Sequence, residues 1–297
     1  MRGAEEGFLL LTGTLGDPQR RPLSMAQLRV LHQRMHGSER PSQDRDLVLD
    51  DLKKLGYDGA FAQRILDLFG QKEMLAKYLR RAEELGCAPL TRISTGFPQR
   101  LLRQLGEDCP GSLWFKGDLS LLQKPCISVV GSRDILPPNR AFAWEVGVQA
   151  AKQGYVLVSG NARGADRIAQ SAAHRFGGGV ICVVADALSN QPLTPNTLYI
   201  SEEGFDCAFS AVRALSRNRL IHAMGAVTLV CQCGDATGGT WDGTVKNLRF
   251  GLSPVCCFRD GSHAMDRLEQ MGAFLVGLDA LSDLSSLSKQ TNTLFDQ

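Results

Sequence analysis

Neither charge is in excess in this chain. Its 33 Lys and Arg face 31 Asp and Glu, for a net charge of +2. That balance excludes a globally basic surface, so any site for a polyanion has to be a local concentration of Arg and Lys. No apolar run is long enough to cross a bilayer. The N-terminal MRGAEEGFLLLTG carries acids and only a short apolar stretch, which fits neither a signal peptide nor a membrane span. The expectation is a soluble, cytoplasmic protein with no membrane partner. No CxxC occurs among the nine cysteines; one CxC (Cys231, Cys233) and one adjacent pair (Cys256, Cys257) lie in or beside apolar runs. They read as reduced core thiols, which argues against a disulfide framework, a redox pair or a metal site. Aromatic residues make up only 7% of the chain, so base stacking would be sparse at a nucleic-acid site. HExxH, GxSxG, the GK[ST] of a P-loop and paired carboxylates are all missing, and no nucleophile stands beside a base. No catalytic residue and no cofactor is expected.

The length, 297 residues, suits two regions rather than one small domain, and 43% apolar residues can fill a substantial core. Up to about Leu122 the pattern is helical. MAQLRVLHQRMHG, DDLKKLGYDGAFAQRILDLFG and KEMLAKYLRRAEELG repeat apolar residues every three or four positions. In the last of these, Leu75, Leu79 and Ala82 share a face, and Gly86 follows where a helix C-terminus uses glycine. From Pro125 the texture changes to short β-rich runs alternating with helical stretches: CISVVG, YVLVSG, VICVVAD, VTLVCQC and PVCCF. Continuous apolar runs mark strands buried on both faces, and their alternation with helices implies right-handed crossovers. The expected fold class is α/β: a doubly wound, mostly parallel Rossmann-like sheet preceded by a smaller helical N-terminal region. The boundaries read as 1–122 for the helical region, 123–282 for the sheet domain and 283–297 for a polar, mobile tail.

Ligands of such sheets bind beyond the carboxyl ends of the strands, so the loops after each strand carry the function. After the first run comes Gly131-Ser132-Arg133: a glycine that admits close approach, a hydroxyl, and a guanidinium fork that matches phosphate. The second loop, VSGNARGAD, holds Ser159, Gly160, Arg163, Gly164 and Asp166 ahead of a helix whose Ala165, Ile168, Ala169, Ala172, Ala173 and Phe176 fall on one face. The free N–H groups and positive dipole end of that helix make an anion site, with Arg163 beside it. Asp166, in the first turn, reads as a cap or loop organiser rather than a catalytic acid. LSRNRLI bunches Arg217, Asn218 and Arg219 at a helix start, as either a solvated cluster or part of the same edge. ATGGTWDGT supplies Gly238, Gly239 and Thr240 before another helix, material for a phosphate cradle or a plain turn. Trp241 suits packing and stacking equally. Taken together, the loops point to phosphate binding, as a nucleotide or along a nucleic-acid strand.

The order of VVGSR (129–133), VSGNARGAD (158–166), GGGVICVV (177–184), SRNRLI (216–221) and TGGT (237–240) resembles the DprA/Smf family of DNA-processing proteins. The resemblance covers roughly residues 90–280. It implies an extended Rossmann fold that binds single-stranded DNA, protects it and helps to load a RecA-type recombinase, notably in natural transformation, and that commonly forms a homodimer. It also implies that Arg133 and Arg163 line a basic DNA pocket, supported or extended by Arg217 and Arg219. The chain departs from the family pattern in three places: Gln170 replaces a histidine four residues after the motif aspartate, TGGTW replaces an SGSL-type turn, and the Tyr-Pro after the third strand is missing. The alternative within the same superfamily is a nucleotide sensor or a LOG-like nucleotide phosphoribohydrolase. Those hydrolases resemble one another in PGGxGTxxE; here Asn247 stands where the glutamate would be.

Overall fold

A computed structural model of the protein describes residues 3–36 and 46–290. The chain opens with five helices, α1 (Gly3–Thr12), α2 (Met25–His36), α3 (Leu49–Lys54), α4 (Gly59–Gly70) and α5 (Lys72–Glu84). Then come β1 (Ala88–Thr91), α6 (Gln99–Leu105), β2 (Ser112–Gly117), β3 (Cys126–Val130), α7 (Pro137–Lys152), β4 (Val156–Ser159), α8 (Ala165–Arg175), β5 (Val180–Val183) and β6 (Thr197–Ser201). The chain continues through α9 (Ala211–Ser216), α10 (Asn218–Met224), β7 (Thr228–Val230), α11 (Gly238–Phe250), β8 (Val255–Phe258), α12 (His263–Gln270), β9 (Phe274–Val276) and α13 (Leu284–Leu287). Among the described residues, no helix is long and apolar enough to cross a membrane.

One nine-stranded sheet runs in the order β1-β2-β6-β5-β4-β3-β7-β8-β9, with β1–β2 and β2–β6 antiparallel and every other pair parallel. The expected doubly wound α/β class is what folds. From β3 the chain winds one way through β4, β5 and β6, then returns to place β7 on the other side of β3, so the order reverses between β3 and β7. In sheets of this kind that reversal opens a crevice at the strands' carboxyl ends. The apolar runs have their physical reason in the two layers. Ile127 and Val129 of β3 pack with Phe142 of α7 and Ala165 and Ala169 of α8, while Val130 and Val158 pack on the side of Leu220 and Leu248. With both faces covered, a strand has no polar side to alternate with. The N-terminal helices keep a small core of their own around Leu31, Leu52 and Ile65. They meet the sheet where Tyr78 donates a hydrogen bond to Asp206 (2.6 Å) and packs edge-on to Trp114 and tilted against Phe205.

Two expectations change. The stretch up to residue 122, helical by periodicity, also carries β1 and β2, which extend the sheet past β6. These strands are short and flanked by Pro and Gly, so they offer no period of their own. The segment 283–297, read as polar and mobile, begins with α13, whose Leu284 and Leu287 are buried. Gln153, just after α7, donates to the Leu281 carbonyl and accepts from the Leu284 N–H, both at 2.8 Å. Two leucines three apart form one helix face even in polar company. Residues 291–297 lie outside the described part of the chain.

Candidate nucleic-acid interface

The loops after β3 and β7 enclose a cleft of about 670 Å³ at the β3/β7 reversal, lined also by residues of α9 and α10. Gly131, Ser132 and Arg133 come from the β3 loop and Gly238, Gly239 and Thr240 from the start of α11. Among the described residues, no side chain caps α11. Its first-turn N–H groups have no intrahelical acceptor and sit at the positive dipole end, so they form an open anion-binding edge. The α8 end is less open, because the Ala165 N–H already donates to the Ser132 carbonyl (3.2 Å).

Arg217 enters the cleft from the junction of α9 and α10. Its guanidinium donates to the Gly160 carbonyl (3.0 Å) and to Asn218 Oδ1 (2.6 Å). A Cβ on Gly160 would lie 2.1 Å from that guanidinium, so only glycine leaves room to seat the arginine. Asn218 in turn donates to the Gly239 carbonyl (3.1 Å), tying α10 to the start of α11. Burial pulls the Arg217 pKa down; the Asp166 charge opposes this and the Arg133 charge adds to it.

Asp166 is the organiser its position predicts. Its buried carboxylate accepts from the Gly160 N–H (2.9 Å) and the Ala162 N–H (3.2 Å) and holds the 160–164 loop against the sheet. Burial raises its pKa, while Arg217 and the two N–H donors hold it down. Gly164 closes the same loop at φ 86°, where a Cβ would meet the Ser132 carbonyl oxygen at 2.3 Å. That close approach joins the β3 and β4 loops into one surface.

A second groove of about 460 Å³ continues from the cleft over the ends of β4 and β5. Arg133, Phe209 and Arg217 line both cavities, and Arg163 and Arg167 line the groove alone. Cleft and groove thus share lining residues and are bordered by four arginines.

Residues 89–249 match the family model of DNA recombination-mediator protein A, over more than half of the chain. The chain belongs to the DNA recombination-mediator protein A family. An 81-residue segment is 40% identical to DNA processing protein DprA of Streptococcus pneumoniae (strain ATCC BAA-255 / R6), covering 27% of this chain and 28% of that protein. The match therefore spans less than a third of that relative's length. The fold is similar to the X-ray structure of the Streptococcus pneumoniae DNA processing protein A, with a TM-score of 0.70 at 23% identity over 93% of this chain and 95% of the other. It is also similar to DNA processing protein A of Helicobacter pylori, with a TM-score of 0.55 at 23% identity over 67% and 96% of the two chains.

In this member of the DNA recombination-mediator protein A family, the residues singled out in sequence fall into three groups. Gly131, Ser132, Arg133, Asp166, Arg217, Asn218, Gly238, Gly239 and Thr240 converge on the cleft. Gly160 and Arg163 face the adjoining groove. Arg163 is exposed and forms an ion pair with Asp134 (2.7 Å), a carboxylate at the mouth of the cleft that sequence reasoning overlooked. Gly164 lines neither cavity, being packed against the β3 loop, and Ser159 and Arg219 are elsewhere. Ser159 is fully buried in β4, its hydroxyl accepting from Gln170 (2.6 Å), the residue that replaces the family histidine. Arg219 pairs with the nearly buried Glu202 (2.5 Å) and lines a separate cavity between α9, α10 and α11. Residues two apart do not share a helix face, which separates Arg219 from Arg217. Trp241 is buried with the Arg267 guanidinium over its ring, so packing is its role. Phe209, 57% exposed on the cleft wall, is the aromatic that sequence reasoning missed, because it lies in a loop without periodicity.

Proposed function

We propose that this protein binds single-stranded DNA along the cleft and its adjoining groove, and acts in DNA processing as a recombination mediator without chemistry of its own. The carrying observation is the convergence of Arg133, Arg217 and the uncapped α11 N-terminus on one cleft that opens into the groove of Arg163 and Arg167. Guanidinium forks and free N–H groups suit phosphates spaced along a strand. The Helicobacter pylori DNA processing protein A binds single-stranded DNA, which supports the same ligand for this fold. A homodimer, a RecA-type recombinase as partner and a cytoplasmic location belong to the same reading.

The site's carboxylates favour binding over hydrolysis. Asp166 is committed to its loop and Asp134 to Arg163, and Asp186, exposed in the groove, accepts from the Ala187 N–H (2.8 Å). At the position of the hydrolase glutamate, Asn247 is completely buried in α11. General acid–base cleavage of a glycosidic bond needs a carboxyl group within reach of the substrate. Fluorescence anisotropy with labelled single-stranded DNA, titrated with salt and with mononucleotides, tests the proposal. Affinity that falls steeply with salt is expected. Saturable binding of a mononucleotide with no binding of DNA would reject it in favour of a nucleotide sensor.

A further inference from the structure

Beneath the cleft lies a buried polar cluster of His222, Thr228, Asn247 and Ser253. His222 of α10 is 1% exposed, and it lines the cleft floor. Its partner Asn247 is oriented without ambiguity. The Ser253 backbone N–H donates to Asn247 Oδ1 (2.9 Å), so the amide nitrogen must face the other way. That nitrogen lies 3.1 Å from His222 Nδ1 and 3.1 Å from the Ser253 hydroxyl. An amide nitrogen can only donate, so Nδ1 accepts and the ring proton sits on Nε2. Thr228, 3.3 Å from Nδ1 and 2.8 Å from the Ser253 hydroxyl, closes the cluster.

Nε2 finds no hydrogen-bond partner among the described residues. With Nδ1 turned to the buried cluster, Nε2 is the ring edge left for the cleft. A Cβ on Gly243 would stand 3.1 Å from Nε2 and 3.3 Å from Asn218 Nδ2, so glycine there keeps the space around both donors clear. Nε2 is not sealed from solvent, so at the cleft lining it is a donor open to an acceptor atom of a ligand. Burial, followed by the Arg217 charge, lowers the His222 pKa to about 4, so the group is a neutral donor near pH 7.

We propose that His222 reads a nucleobase: its Nε2–H donates to an acceptor atom on one unstacked base of the bound strand, held at the cleft floor. This rests on the single-stranded DNA reading of the cleft. The local chemistry favours a base over a phosphate. Phosphates are drawn to the arginines, whose charge a neutral imidazole does not increase. A base needs apolar walls and a fixed uncharged donor, and Val130, Leu215, Ile221 and Phe209 line the same cleft.

Histidine-selective ¹⁵N labelling of the full chain gives five imidazoles to observe, and His222→Gln identifies one of them. The probes are an oligothymidylate of about ten nucleotides and an abasic strand of equal length, both also followed by anisotropy. In the free protein His222 is expected as the Nε2–H tautomer. Its Nε2 resonance should shift with oligothymidylate and not with the abasic strand. His222→Phe should weaken oligothymidylate binding about tenfold and leave the abasic strand unaffected. The wild-type spectra carry the test alone if His222→Phe does not fold. Equal shifts with both strands would assign the donor to phosphate and overturn the proposal. Tight oligothymidylate binding with His222 unmoved would overturn it too, while leaving the DNA reading intact. If neither strand binds, both readings fall.

Discussion

Arg133 and Arg217 line the same cleft and are held in opposite ways. Arg217 is built in: it is seated on Gly160, bonded to Asn218 and set in the field of Asp166. Arg133 is exposed, and its side chain has no ion pair or hydrogen bond among the described residues. One arginine shapes the cleft and the other is free to meet a ligand. A positive charge near an anion site therefore does not by itself reveal whether it serves the ligand or the loop.

The sharpest way to break this contrast is to delete the seated arginine. Arg217→Ala leaves the buried Asp166 without the charge that most opposes its burial, and about 3 kcal/mol of stability should be lost in urea unfolding. Arg217→Lys should recover only part of it, since an ammonium lacks the planar fork. Next in size is a pH effect beneath the same floor. His222 stays neutral in the folded chain down to about pH 4 but takes a proton near 6.5 when unfolded. Its contribution is whole above the unfolded value and is lost as pH falls toward 4, up to about 3 kcal/mol. Asp166, raised by burial, works in the opposite sense, gaining stability on protonation. Subtracting the urea profile of His222→Gln from that of the wild type isolates the histidine, and a flat difference would contradict its burial as a neutral ring.

For the free arginine the expectation reverses. Arg133→Ala should reduce single-stranded DNA affinity about tenfold and the salt slope by about one. Its stability should stay within about 0.5 kcal/mol of the wild type. The smallest effect belongs to the mouth of the cleft. Asp134→Asn frees Arg163 from its exposed partner, a pair worth at most about 1 kcal/mol, and should tighten DNA binding by about twofold to threefold. Anisotropy at two salt concentrations separates these last two cases; tighter binding by Arg133→Ala would invert the assignment.

Much of this was legible in the sequence, for reasons that can be named. The strands β3, β4, β5, β7 and β8 are continuous apolar runs because helices cover both faces. β6 and β9 were hidden: one follows a proline-rich turn, and the other is a short, half-buried strand at the sheet edge. Gly131, Arg133 and Gly238–Thr240 could be placed because the loops of a doubly wound sheet share one edge. The fate of each charge could not be read, since Asp134 and Glu202 find their arginines only in three dimensions. The His222–Asn247 contact joins residues 25 positions apart across two helices, and neither stands out in the sequence. Asn247 was noticed only as a missing acid, whereas its amide fixes the proton on a neighbouring ring.

The antiparallel pairing of β2 with β6 has a consequence for synthesis. β2 leaves the ribosome about 80 residues before its partner, with the whole β3–β5 segment still to come. At ordinary elongation rates that is roughly 4–16 s during which a strand edge next to the finished helical region stands open. Nascent chains arrested before and after residue 201 should therefore differ in protease resistance around 112–117. Equal resistance would mean that this edge is shielded before its own strand arrives.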